Sequence, residues 1–150
     1  MIQIRKAYST EASKITQLGI RSKLYWGYNL EQMSVFVQEL TLQPDAIAAL
    51  NTHVLELYDE IIGYYNLLPH EQTVELKHLF IEPIHFRQGF GSKLLKHARS
   101  TAVSLGFRQM IILSDPNAEA FYLKHGAQLV QYIQSSIRGR LIPLLKIQLE

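Results

Sequence analysis

The stretch from Thr73 to Leu105, TVELKHLFIEPIHFRQGFGSKLLKHARSTAVSL, constrains this chain more than any other. It reads as a strand, a tight basic turn with Gly89 and Gly91, and a helix. The first backbone N–H groups of a helix have no partner inside it, and the aligned peptide dipoles place partial positive charge there, so an anion is favoured at that end. Glycines let a ligand approach the backbone with no Cβ in the way, and Arg87 and Lys93 add positive charge nearby.

Elimination narrows the kind of phosphate ligand. A P-loop needs G-x-x-x-x-G-K-[ST], but Ser92 precedes Lys93 after Gly91, and Phe86 stands where the earlier glycine would be. A dinucleotide fingerprint needs a third glycine where Leu94 is, and an acidic residue about twenty positions after the turn at the end of a second strand. Ser114 and Asp115 lie there instead, a poor match. Alone, G-x-G does not distinguish a phosphate site from an ordinary strand-to-helix turn.

A second motif follows in SDPNAEAFYLKHGA, Ser114 to Ala127, at the end of another strand. Phe86 to Gly91 (FRQGFG) and Asn117 to Gly126 (NAEAFYLKHG) together resemble the GNAT N-acetyltransferase superfamily. Its acyl-CoA site combines a [QR]-x-x-G-x-[GA] pyrophosphate turn with a later N-A-x-x-F-Y-x-x-x-G helix. The family's leading Gln or Arg is Phe86 here, with Arg87 next to it. The likeness runs from about Thr73 to Ala127 and is one of fold only before that.

The resemblance implies an α+β, acyl-CoA N-acyltransferase fold with a mixed central sheet and helices on both faces. It also implies acetyl-CoA as co-substrate, bound by Leu79, Phe80 and Ile81 on the strand, by Arg87, Gln88, Gly89, Phe90, Gly91 and Ser92 at the turn, and by Asn117. By the same resemblance Tyr122 is the general acid toward the departing thiolate. Glu75 stands at a distance upstream of the turn similar to that of the glutamate that deprotonates the amine in histone-acetylating members.

Composition permits this reading. A chain of 150 residues with 47% hydrophobic side chains suits one domain, 1–150, around a single core. The net charge of +2 comes from scattered lysines and arginines, which does not imply nucleic acid. With no cysteine there is neither a disulfide, a thiol nucleophile nor a Cys-based zinc site. No apolar run approaches the roughly 20 residues of a membrane span, and MIQIRKAYST lacks a signal-peptide pattern, so no membrane is expected and the expected location is the cytoplasm. A homodimer is left open.

Along the chain, Ile2 to Lys6 alternates enough for a first strand, and Ser9 or Thr10 could cap a helix carrying Ala12, Ile15 and Leu18 that fades near Arg21. A polar-aromatic loop, KLYWGYNL, follows. Asn29 and Gln32 form a capping-box signature for a helix with Met33, Phe36, Val37 and Leu40 as its apolar stripe, ending before Pro44. THVLELY and IIGYYNLL read as a hairpin about Asp59 and Glu60, the second strand apolar on both faces. Pro69 to Gln72 turns into the strand Thr73 to Ile81. After the glycine turn, Phe90, Leu94, Ala98, Thr101, Ala102 and Leu105 recur at helical spacing, and Gly106 stops the helix. Gln109 to Leu113 is then a parallel strand, Ala118 to His125 a short helix, and Leu129 to Gln134 with Leu144 to Leu149 an antiparallel end.

An alkyl amine of pKa about 10.4 is almost wholly protonated at pH 7, a penalty of about 4 to 5 kcal/mol that a base helps to overcome. Glu75 is one candidate, although exposed glutamates on strands are common. His78 is the other, its ordinary pKa near 6.5 suiting the task, although in a regular strand it faces away from Glu75 unless a bulge intervenes. The remaining histidines, His53, His70, His85, His97 and His125, form no metal-ligand spacing, and no metal is expected. Tyr25, Trp26, Tyr28 and Phe36 are either core or, as the resemblance implies for the segment between the first two helices, border the acceptor site. Arg138 and Arg140 around Gly139 are either a charged turn or a feature favouring an acidic acceptor. The resemblance thus implies acetyl transfer from acetyl-CoA to a small-molecule or peptide amine, and the absence of cysteine and of a Ser-His-Asp pattern makes the transfer direct. The alternatives are a non-catalytic acyl-CoA-binding module of the same fold, and O-acetyl transfer.

Overall fold

The computed structural model describes residues 1–149. Their centre is one seven-stranded sheet built from β1 (Ile2–Lys6), β2 (His53–Leu57), β3 (Glu60–Pro69), β4 (Val74–Ile81), β5 (Gln109–Leu113), β6 (Gln128–Gln134) and β7 (Leu141–Gln148). The order across it is β1-β2-β3-β4-β5-β7-β6, and only β4 and β5 are parallel. Five helices complete the fold: α1 (Ala12–Leu24), α2 (Leu30–Leu40), α3 (Pro44–Ala49), α4 (Phe90–Ser104) and α5 (Glu119–Lys124).

Both faces of the sheet are covered, which is why β3 and β4 are apolar on both sides. On one face Leu94, Leu95, Ala98 and Ala102 of α4 pack with Tyr65, Leu67, Val74, Leu76 and Met110. On the other, Ile15 and Leu18 of α1 and Ile47 of α3 pack with Val54 and Tyr64. Burying one such leucine or isoleucine contributes about 1.5–3 kcal/mol. The expected α+β architecture, a mixed sheet with helices on both faces, is the one observed.

Local chemistry sets most boundaries. Asn29 Oδ1 accepts from the Gln32 backbone N–H at 2.8 Å, and Gln32 Oε1 accepts from the Asn29 N–H at 3.0 Å, so the capping box is formed. Val37, assigned to the stripe of that helix, is exposed, whereas Met33, Phe36 and Leu40 are buried. Neither Ser9 nor Thr10 caps α1. A 3₁₀ turn over Ser9–Glu11 precedes it, and Glu11 reaches back to the Tyr8 N–H while pairing with Arg5, so tertiary ion pairing takes over the capping role. α1 also runs past Arg21 to Leu24, because Arg21 pairs with Glu82 and Lys23 with Asp115. Pro44 starts α3, a helix too short to show a period, and β7 begins at Leu141 rather than Leu144 because pairing with β6 extends it. Leu105, placed on the apolar side of α4, is 46% exposed, since the helix has already ended at Ser104.

Two irregularities shape the middle of the sheet. β4 and β5 pair only through Val74↔Met110 and Glu75↔Ile111, while β5 continues along β7 to Leu113↔Leu144. Beyond Glu75 the two parallel strands therefore splay apart. In the β3–β4 ladder, Asn66 opposes His78 but Leu67 opposes Leu76, leaving Lys77 as an extra residue. This bulge turns the rest of β4 over by one position.

Candidate active site

The splay opens a cavity of about 820 Å³, bounded by β4, the glycine turn, the segment after β5, the α1–α2 connection and the β6–β7 turn. Of the residues singled out in the sequence, Glu75, His78, Leu79, Phe80, Ile81, Arg87, Gly89, Phe90, Gly91, Ser92, Asn117 and Tyr122 line it. Gln88 does not line it, and its side chain turns back toward the Ile84 carbonyl.

The glycine turn is shaped by backbone conformation. Arg87 (φ 62°) and Gly89 (φ 85°) are both left-handed, with Gln88 between them, and Gly89 is the N-cap of α4. Such alternation curls successive N–H groups toward one point, an anion-binding concavity. The backbone N–H groups from Arg87 to Ser92 donate to no other described group, and no side chain caps the helix. A Cβ on Gly89 would meet nothing within 4 Å, so the need for glycine there is conformational rather than steric. At Gly91 a Cβ would come within 3.3 Å of the Phe121 ring, so that glycine allows α5 to approach α4. Phe86, in place of the family's Gln or Arg, stacks on Trp26 (6.1 Å between centroids) and meets Tyr25 edge-on at 4.8 Å. It thereby fastens the α1–α2 loop to the turn.

The bulge at Lys77 settles the relation between the two candidate bases. In a regular strand Glu75 and His78 would face opposite ways, yet both are buried and both line the cavity. They stand differently within it. His78 accepts from the Tyr64 hydroxyl at 3.1 Å and lies 3.3 Å from Asn66 Nδ2, both at Nδ1. Burial, aided by the charges of Lys77 and Lys23, lowers its pKa to about 3, so the imidazole is neutral near pH 7 and a poor proton acceptor. Glu75 Oε1 is met by His70 Nε2 at 3.0 Å, and His70, on the β3–β4 turn, is half exposed.

Tyr122 is buried at the cavity wall with no hydrogen-bond partner among the described residues, and burial, then the charge of Asp115, pushes its pKa above the ordinary tyrosine value. Asp115 itself belongs to a cluster from four segments. Its Oδ2 pairs with Lys23 Nζ at 2.7 Å and accepts from the Tyr28 hydroxyl at 2.8 Å, while Arg140 Nη2 lies 3.5 Å away and donates to the Tyr28 oxygen at 2.9 Å. Asn117 Nδ2 reaches Asp115 Oδ1 at 2.9 Å and the Tyr28 oxygen at 3.2 Å. Burial opposes ionisation of Asp115, but Lys23 and the hydrogen bonds prevail and its pKa is lowered.

The sequence offered no sign of this cluster, since Lys23 and Asp115 are far apart in the chain and share no motif. Nor did it offer the Ser92 Oγ–His125 Nε2 contact of 2.7 Å, with His125 Nδ1 donating to the Phe121 carbonyl, or the His70–Glu75 contact. Arg140 lines the cavity and Arg138 does not, Trp26 and Phe36 border it, and His85 lies beside the turn. Among the described residues no group of three or more His, Cys, Asp or Glu could hold a metal ion, and no helix is long and apolar enough to cross a membrane.

Solved structures share this architecture. PaiA N-acetyltransferase from Thermoplasma acidophilum, in complex with coenzyme A, superposes with a TM-score of 0.82 at 16% identity over 99% of both chains. The ribosomal-protein-S18-alanine N-acetyltransferase from Escherichia coli gives 0.74 at 15% identity, covering 100% of this chain and 95% of that one. The yncA protein from Salmonella typhimurium, with its cofactor acetyl-CoA, gives 0.71 at 18% identity, with the same coverage. At such identities the likeness establishes the acyl-CoA N-acyltransferase fold. No curated protein matches significantly in sequence. The family model described as "Acetyltransferase (GNAT) domain" matches residues 48–126, from before β2 through the glycine turn to the end of the Asn117–Gly126 motif. The match takes in more than half of the chain and both motifs about the cavity, and the chain belongs to the GNAT acetyltransferase domain family.

Proposed function

We propose that the protein is an N-acetyltransferase that moves an acetyl group from acetyl-CoA directly to an amine. One observation carries this reading: the unpaired N–H groups of the glycine turn, the unpaired edge of β4 beyond Glu75, and the side chains of Glu75 and Tyr122 all border one cavity.

Each part fits a piece of acetyl-CoA. The curled N–H groups from Arg87 to Ser92, beside the Arg87 guanidinium, suit a pyrophosphate. The β4 edge at Leu79–Ile81, left without a partner strand, suits the amides of an extended pantetheine arm, which can pair with it as a strand would. The thioester then lies between the splayed strands, near Tyr122. Glu75 takes the proton from the incoming ammonium, directly or through one water, and His70 offers that proton a way out to solvent. The freed amine attacks the thioester carbonyl, the C–N bond forms and the C–S bond breaks; the second proton that the nitrogen sheds leaves through Glu75 once the first has passed out by His70, and the CoA thiolate is protonated from solvent. Tyr122 donates a hydrogen bond to the departing thiolate. Because burial raises the Tyr122 pKa, complete proton transfer to the thiolate, whose conjugate thiol has a pKa of about 8.5, is uphill, so the hydrogen bond is the contribution of Tyr122. His78, neutral and engaged at Nδ1, holds the strand and does not serve as base.

Isothermal titration with acetyl-CoA, beside an assay of free CoA released over a panel of amines, tests the proposal. Micromolar binding with amine-dependent CoA release is expected. Binding with no release on any amine would instead make this a binding module, and release only with alcohols would make it an O-acetyltransferase.

A further inference from the structure

Two cations line the cavity with the Asp115 carboxylate between them. Lys23 and Arg140 have side chains only 12% and 16% exposed, and both turn to Asp115, whose two oxygens are already taken up by Lys23, Tyr28, Asn117 and Arg140. One positive charge is left over in a setting where charge is poorly solvated. Donors are left over as well. Lys23 carries three N–H donors and meets one carboxylate, while Arg140 carries five and makes one hydrogen bond among the described residues, from Nη2 to the Tyr28 oxygen. Thr52 Oγ1 is the one fully buried side-chain polar atom without a partner among the described residues, so the spare Arg140 donors are not sealed away, and Arg140 lines the cavity.

The surroundings hold those cations in place. Lys23 Nζ stands 4.3 Å from the centroid of the Phe36 ring, and the Arg140 guanidinium 5.0 Å from Phe36 and 5.2 Å from Tyr28. Lys23 comes from the last turn of α1, Phe36 from α2 and Arg140 from the β6–β7 turn, three elements outside the glycine turn. The cluster adjoins Tyr122, on which the charge of Asp115 acts, and His78, on which that of Lys23 acts. It lines the same cavity as Tyr122, beside which the acetyl-transfer reading puts the thioester. A carboxylate, with its negative charge shared over two oxygens, is the anion that spare guanidinium donors and a neighbouring ammonium can hold together.

We propose that Lys23 and Arg140 form a carboxylate subsite, so that the acceptor is an amine that also bears a carboxylate, an amino acid or a close analogue. This rests on the acetyl-transfer reading, and it adds polarity to the site: the amine of the acceptor turns toward Glu75 and its carboxylate toward Lys23 and Arg140. Plain alkylamines and polyamines, which bring only positive charge, fit it poorly.

The test compares matched acceptors with acetyl-CoA: leucine against leucinamide and 3-methylbutylamine, phenylalanine against phenylalaninamide and phenethylamine, and 4-aminobutyrate against butylamine. In at least one set kcat/KM for the carboxylate member should exceed the others by about tenfold or more, as expected of a charge-assisted pair. In Arg140→Met and Lys23→Met that ratio should fall toward one through the carboxylate member, with Arg140→Lys intermediate, each variant being checked for a cooperative thermal transition. Amides or plain amines equal to the acids in every set, or a ratio unchanged in folded Arg140→Met, would overturn the subsite. If no amine is acetylated at all, the transfer reading fails separately. The subsite is then read by titrating CoA-loaded protein with N-acetylleucine and N-acetylleucinamide, where equal affinities would overturn it.

Discussion

The side-chain carbonyl of Asn66 accepts the backbone N–H of His78 at 2.9 Å, at the point where the extra residue Lys77 breaks the β3–β4 ladder. Asn66 is fully buried, so a donor that would otherwise be stranded is satisfied and the bulge is fixed in one place. The same side chain approaches His78 Nδ1 at 3.3 Å, which locks backbone and imidazole together.

Replacing Asn66 with Leu removes that acceptor and leaves the His78 N–H buried and unpaired. A loss of about 1–3 kcal/mol is expected in chemical denaturation. Turnover should fall as well, because the bulge sets the faces on which Glu75 and the Leu79–Ile81 edge lie. Wild-type stability in Asn66→Leu would show that the bulge is held by something else.

His78 also links stability to pH. Its folded pKa, about 3, lies below the unfolded value near 6.5, so between those limits the unfolded chain binds a proton that the folded one refuses. Stability should therefore fall as pH drops from about 6.5 toward 3, by at most about 1.4 kcal/mol per pH unit for this group. His53, whose pKa burial also lowers, acts in the same direction. Thermal melts from pH 7 to 4 should show a smaller decline in His78→Gln than in the parent, and parallel curves would refute the assignment.

Gly89→Val should weaken acetyl-CoA binding by an order of magnitude or more in calorimetry. A β-branched residue is strained at φ 85°, so the turn must refold and its N–H groups no longer converge. Since a Cβ there meets no neighbour, the fold itself should survive, and Gly89→Asn, which tolerates the left-handed region, should restore much of the affinity.

For Glu75→Gln the rate at saturating acceptor should drop about 10²-fold or more, with the deficit shrinking as pH rises and the amine deprotonates unaided. A mutant-to-parent ratio that stays flat from pH 6 to 10 would remove Glu75 from the role of base. His78→Gln serves as the comparison, and its effect should show little of that pH dependence.

Tyr122→Phe keeps the ring and deletes only the hydroxyl. It should leave acetyl-CoA affinity nearly intact while lowering kcat, the pattern of an interaction made mainly in the transition state. Equal losses in binding and rate would indicate packing, and unchanged turnover in the folded variant would end the assignment.

Much of this protein was legible in the chain because the information was local. The capping box of Asn29 and Gln32, the two-sided apolar run of β3, the helical period of α4 and the glycines of its turn each act within a few residues, where backbone sterics and hydrogen bonding decide the outcome. The paired motifs Phe86–Gly91 and Asn117–Gly126 carried the family for the same reason. Tertiary structure decided the rest. Whether Glu75 and His78 share a face depended on one extra residue at Lys77, which only the opposing strand and Asn66 reveal. The protonation of His78 depended on burial that no single strand can supply. Lys23, Tyr28, Asp115 and Arg140 meet only when the sheet brings α1, the end of β5 and the β6–β7 turn together, because a charge pair needs proximity in space and leaves no period or spacing in the sequence.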